Sequence, residues 1–90
     1  MARLGMDADE VERVAGSLRQ QAGALQQAIS QINGLVTQAT QVWDGADSKQ
    51  FHEWWVNTHK PNLENAKHAL EELSDTAKKN AQQQREVSGH

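Results

Sequence analysis

The chain has 90 residues, with 9 lysines and arginines against 12 aspartates and glutamates, a formal charge of −3, and neither cysteine nor tyrosine. This length holds one small domain that buries only about 60% of the surface its unfolded form exposes, so partnership is expected on energetic grounds. The basic residues (Arg3, Arg13, Arg19, Lys49, Lys60, Lys67, Lys78, Lys79, Arg85) are scattered and make no stripe that tracks a phosphate backbone, which argues against nucleic acid. The missing cysteines exclude disulfides and thiolate metal sites. Met1 to Asp7 contain no apolar run of the Sec signal type, and no stretch approaches the ~20 apolar residues of a membrane span.

Asp7, with Glu10 three residues later, makes a capping box that opens the first helix. From there Val11, Ala15, Leu18, Ala22, Leu25, Ile29, Ile32, Val36, Ala39 and Trp43 step by four and three, a heptad pattern that no strand can make. A second row, Val14, Ala28, Leu35 and Val42, runs beside it and is interrupted by Gln21. Three apolar positions per heptad are wider than a two-stranded seam and suit a helix with more than one neighbour, as in a four-helix bundle. The pattern predicts a helix over about 7–42, roughly 50 Å long. Gly16, Gly23 and Gly34 each cost about 1 kcal/mol relative to alanine there, so packing must hold this helix.

Trp43-Asp44-Gly45-Ala46-Asp47-Ser48 breaks the pattern, and a turn over 43–47 is expected. Gly45 is suited to a left-handed conformation that ends helix 1, and Asp47 with Gln50 makes a second capping box. Helix 2, over about 48–87, places Val56, Leu63, Leu70 and Ala77 in one row and Ala66, Leu73 and Val87 in another. Pro61 conflicts with that helix, since an interior proline loses a hydrogen bond and costs about 3 kcal/mol. A kink near 57–61 is preferred to a break because the apolar rows keep phase across it. The residues from Gln82 to His90, polar apart from Val87, are expected to fray, with 88–90 as the frayed tail of a single domain spanning 1–90.

Candidate chemistry is sparse. His52 and His59 are seven apart and His68 lies near Glu64, Glu71 and Glu72, but no pair has the spacing of a helical zinc motif, and no metal or other cofactor is expected. His52 and His59 share rows with Val56 and Leu63, so they are expected to pack at an interface, which would then be pH-sensitive. Ser17, Ser30, Ser48, Ser74 and Ser88 lack a histidine–carboxylate arrangement, and there is neither a nucleotide-binding glycine loop nor a serine elbow. The chain reads as a non-enzyme with no catalytic residue. Trp43, Phe51, Trp54 and Trp55 either plug the turn between the helices or, in part, face outward to anchor a partner. Trp54 and Trp55 stand about 100° apart on a helix, so one can be buried while the other is not.

Trp43-Asp44-Gly45 between two long heptad helices closely resembles the WXG family of early-secreted-antigen-like (Esx) proteins, small substrates of type VII secretion in actinobacteria and Firmicutes. The resemblance covers nearly the whole chain and includes Ala46, Phe51, a tryptophan in the next helical turn, and the spaced Leu63, Leu70 and Leu73. It implies an all-α, antiparallel helix-turn-helix hairpin that dimerises into a four-helix bundle and is exported folded, without a cleaved signal peptide. The apolar rows and the aromatic cluster then give Leu18, Leu25, Ile29, Ile32, Val36, Phe51, Trp54, Trp55, Leu63, Leu70 and Leu73 as the expected dimer-interface and packing residues. The implied export signal pairs Trp43 and Gly45 of one subunit with a Tyr-x-x-x-Asp/Glu motif in its partner's tail. Here Gln82 stands where the tyrosine would be, with Glu86 at the acidic position, so Gln82, Glu86 and Val87 are the candidate tail signal.

The missing tyrosine favours a heterodimer with a WXG-family sister protein, with a homodimer as the other arrangement; the resemblance further implies a type VII secretion ATPase as export partner. The leading expectation is thus a secreted protein, cytoplasmic before export, that acts by protein–protein interaction. The competing one is an intracellular adaptor or chaperone hairpin that escorts a larger helical-domain toxin. Membrane insertion ranks last, because the polar faces are not strongly basic and the net charge is negative.

Overall fold

The computed structural model describes residues 6–88. Helix α1 runs Ala8–Val42, α2 runs Ala46–Trp54, a π-helical turn occupies Trp55–His59, and α3 runs Lys60–Ser88. Among the described residues there is no strand. α2, the π-turn and α3 follow one another without a gap and lie back along α1, giving a helical hairpin of 67 × 19 × 16 Å. No described helix is long and apolar enough to cross a membrane.

Asp7 starts α1 in extended geometry, and its carboxylate accepts from the Glu10 N–H at 3.3 Å. The Glu10 carboxylate is itself engaged by Arg13, at 3.1 Å from its Nε. α1 ends where Trp43 turns extended, at φ −131° and ψ 106°. Gly45 therefore does not close α1 in a left-handed conformation. It begins α2 instead, at φ 111° and ψ −179°, a region open essentially to glycine alone. Asp47 is likewise not the cap: helix α2 already starts at Ala46, and Asp47 sits in its first turn, where a carboxylate favours the helix dipole.

The hairpin closes along one seven-residue row, Ala15, Ala22, Ile29 and Val36, each buried. The small members, Ala15 and Ala22, lie toward the open end, where α3 contributes Ser74 and Ala81, also buried. Helices come close enough there for the Ser74 hydroxyl to donate to the Ala15 carbonyl at 2.7 Å. Toward the turn the row grows bulkier: Ile29, Val36 and Trp55 form the apolar cluster, flanked by Leu25, Ile32 and Leu63. Each large side chain buried in this way contributes roughly 1.5–3 kcal/mol.

Pro61 neither breaks nor simply kinks the helix. The Lys60 N–H donates to the Trp55 carbonyl, five residues back, so the turn just before the proline is widened where its ring would otherwise crowd the preceding carbonyls. The extra residue shifts the phase. Trp55, not Val56, is buried ahead of Leu63, and Val56 is exposed, so the rows do not keep phase across Pro61. At its far end α3 stays helical through Ser88 instead of fraying from Gln82, because Ala81 is buried and Arg85 is held by Asp9 and Glu12. Of the expected frayed tail, Gly89 and His90 lie outside the described residues.

Candidate functional site

Each α-helical residue turns the chain by about 100°, so position relative to the buried row fixes the face on which a side chain emerges. On one flank of the buried row of α1 come the half-buried Leu18, Leu25 and Ile32, and beyond them the exposed Val14, Leu35 (62% accessible) and Val42 (86%). On the corresponding flank of α3, Leu63, Leu70 and Ala77 are half-buried, and Ala66, Leu73 (55%) and Val87 are exposed. Because α1 and α3 run in opposite directions, these two flanks open on the same side of the hairpin. Phe51 and Trp54 of α2 fall on that flank of Trp55, and both are exposed. The rows forming this side, 11–14–18–21–25–28–32–35–39–42 and 63–66–70–73–77–80–84–87, contain no lysine, arginine, aspartate or glutamate.

The opposite flank is polar and cross-linked. Glu12, Arg19, Gln26 and Asn33, spaced by seven along α1, each bond across the hairpin. Glu12 pairs with Arg85, and Arg19 with Asp75 and, at 3.5 Å, with Glu71. The Lys67 ammonium donates to Gln26 Oε1 at 2.7 Å, and the Trp55 indole N–H donates to Asn33 Oδ1 at 3.0 Å. Arg85 also holds Asp9: hydrogen bonding from the guanidinium, then its charge, keep the Asp9 carboxyl below the usual carboxylate range. Asp9 and Glu12 together raise Arg85 further above its ordinary value. This seam was not anticipated from the sequence, although the seven-residue recurrence of polar side chains beside the apolar heptads is its signal.

At the turn, the Trp43 ring lies against Phe51 with centroids 5.3 Å apart and planes inclined by 46°. Trp43 and Gly45 thus do two jobs in one corner: an aromatic clasp and a positive-φ step that starts α2. Of the paired tryptophans, Trp55 is the buried one (6% accessible) and Trp54 the exposed one (60%). Trp54 packs against His59 with centroids 5.3 Å apart and planes inclined by 44°, a five-residue spacing that a π-turn brings onto one face. His52 and His59 are both exposed. Gln82, Glu86 and Val87 are exposed along the last turns of α3, at the opposite end from Trp43.

The structure therefore divides the sequence-derived interface residues. Ile29, Val36 and Trp55 lie inside the hairpin; Leu18, Leu25, Ile32, Leu63 and Leu70 border it; Phe51, Trp54 and Leu73 are open to solvent. Ser74 is spent on the Ala15 carbonyl. Among the described residues, no group of three or more histidine, cysteine, aspartate or glutamate side chains is placed to hold a metal ion.

Comparison with curated proteins returned no match, and comparison with solved structures returned none. A family model, WXG100, described as proteins of 100 residues with WXG, matches residues 3–87. Proteins of this family are secreted by type VII systems and generally form dimers with partners there. With the match running over nearly its whole length and the Trp43–Gly45 motif in the hairpin turn, the chain belongs to the WXG100 family of small, non-enzymatic helical proteins associated with type VII secretion.

Proposed function

We propose that the protein is a substrate or co-substrate of a type VII secretion system, exported folded as a dimer and acting through protein–protein contacts. The observation that carries this reading is the charge-free apolar side of the hairpin, where Val14, Leu35, Val42, Leu73 and Val87 are exposed beside half-buried leucines. A contiguous apolar face of this kind marks an interaction site on a small protein. Covering it with a second hairpin produces a four-helix bundle and supplies the burial that one hairpin lacks. The partner is a WXG-family sister protein that carries the tail tyrosine, since Gln82 stands in its place here. This chain supplies Trp43 and Gly45 to the export signal read by the type VII ATPase, with Gln82, Glu86 and Val87 as its own tail contribution. The protein is cytoplasmic before export and secreted afterwards.

The test is recovery of the tagged chain from its native host, with mass spectrometry of what accompanies it and immunodetection in culture medium. A sister protein in equal amount, and both chains in the medium, is the expected result. Trp43→Ala is expected to keep the partner and lose export. Recovery of the chain alone and only inside cells overturns the proposal, and recovery with a larger toxin retained in cells favours the escort reading instead.

A further inference from the structure

Two steps of the chain set a side-chain carbonyl beside a glycine nitrogen: Asn33–Gly34 and Asp44–Gly45. In such a step the glycine nitrogen, unhindered by a Cβ, attacks the γ-carbon of the preceding residue and closes a five-membered succinimide. Ammonia leaves when that residue is asparagine, and water leaves when it is a protonated aspartate. Water then opens the ring at either carbonyl, giving aspartate or isoaspartate, so solvent is the only co-reactant. In an unfolded chain the asparagine step is the faster, because a carboxyl group is mostly ionised at neutral pH and resists attack.

The fold puts the two steps in opposite situations. Gly34 lies within α1, its nitrogen tied into the helical ladder. Asn33 is half-buried, and its Oδ1 accepts from the Trp55 indole at 3.0 Å, so both the nucleophile and the electrophile are restrained. Asp44, by contrast, is exposed in the short link between α1 and α2. Among the described residues, the backbone bonds outside the helices run from Val11 N–H to the Asp7 carbonyl and from Lys49 N–H to the Gly45 carbonyl. The Gly45 nitrogen takes part in neither.

We propose that Asp44 is a spontaneous isomerisation site, and that folding inverts the intrinsic order of the two steps. In the native hairpin Asp44 converts to isoaspartate while Asn33 is protected. Conversion transfers the amide of the Gly45 nitrogen from the α-carbonyl of Asp44 to its γ-carbonyl, which adds a methylene to the main chain between Trp43 and Gly45 and frees the α-carboxyl, formerly in the peptide bond, as a carboxylate. The link that sets Trp43 against Phe51 is thereby lengthened inside the motif itself.

The test ages the full chain, shown helical by circular dichroism, at neutral pH and body temperature, beside the same chain held unfolded in guanidinium. Peptide mapping by mass spectrometry follows deamidation at Asn33, and enzymatic methylation of isoaspartyl carboxylates locates isoaspartate at position 44. In guanidinium Asn33 is expected to change first. In the native chain isoaspartate is expected at position 44, with Asn33 slowed more than about tenfold, as for any reaction that requires local opening. Asp44→Glu, which would need a less favourable six-membered ring, is expected to abolish the native signal. Equal Asn33 rates in the two conditions, or native ageing at Asn33 with none at position 44, overturns the proposal.

Discussion

The indole N–H of Trp55 donates to Oδ1 of Asn33 at 3.0 Å, joining the two arms of the hairpin beside Ile29 and Val36. The bond sits at the border of the core, where an indole donor left without an acceptor loses its hydration without replacement. Asn33→Ala is expected to cost about 1–3 kcal/mol. Asn33→Asp, which keeps an acceptor, is expected to cost less. Urea unfolding followed by far-ultraviolet circular dichroism decides; equal stability of Asn33→Ala and the parent would show the bond to be dispensable.

The glycines separate into two kinds. A Cβ added at Gly23 meets nothing within 4 Å, so Gly23→Ala is expected to stabilise the hairpin by about 0.5–1 kcal/mol through helix propensity. Space is equally open at Gly45, but its φ of 111° is strained for any side chain. Gly45→Ala is expected to destabilise by about 1–3 kcal/mol. Thermal melts of the two variants should move in opposite directions.

Acid should loosen the open end first. Arg85 holds the Asp9 carboxyl below its ordinary range, so the folded state binds this proton more weakly than the unfolded one. The stabilisation is present above the ordinary aspartate value of about 4 and is lost as pH falls below it through the depressed folded value. Amide exchange near Asp9 and Arg85 is expected to accelerate over that window, while the Ile29–Trp55 region keeps its protection. In Arg85→Ala the end should already exchange fast at neutral pH and show little further change on acidification.

Charges on the apolar side should cost association and not folding. Leu35 and Leu73 are more than half exposed in the hairpin, so Leu35→Lys and Leu73→Lys are expected to leave its helicity unchanged. Burying either ammonium against a second apolar hairpin is costly, and the complex recovered from the native host is expected to weaken by at least about tenfold. Titration calorimetry with the recovered partner measures it; undiminished affinity in both variants would place the contact elsewhere.

Much of this arrangement was legible beforehand because helical phase is written into apolar spacing. The heptads from Val11 to Trp43 specify a long helix, and Trp43-Asp44-Gly45 marks the turn. Less legible were features that depend on how backbone strain is relieved. Pro61 announces a conflict, but its relief by an inserted residue in the preceding turn depends on packing around Trp55, and this is why Val56 leaves the row that its spacing from Leu63 predicts. Similarly, Gly45 and Asp47 each fit a local capping rule, yet Trp43 closes α1 by turning extended and leaves Gly45 to open α2. The seam from Glu12 to Asn33 is hard to read from spacing alone because it uses four different polar side chains, each matched to a different partner on the other arm.

That seam has a consequence for valence. Its rungs close one long side of the hairpin with groups already paired to each other, whereas the other side has its apolar surface unspent. Growth by stacking in both directions, which leads to open-ended fibres, needs two adhesive sides. A hairpin with one such side uses it up in a single encounter, so whatever it joins, the chain tends toward a finite, countable assembly.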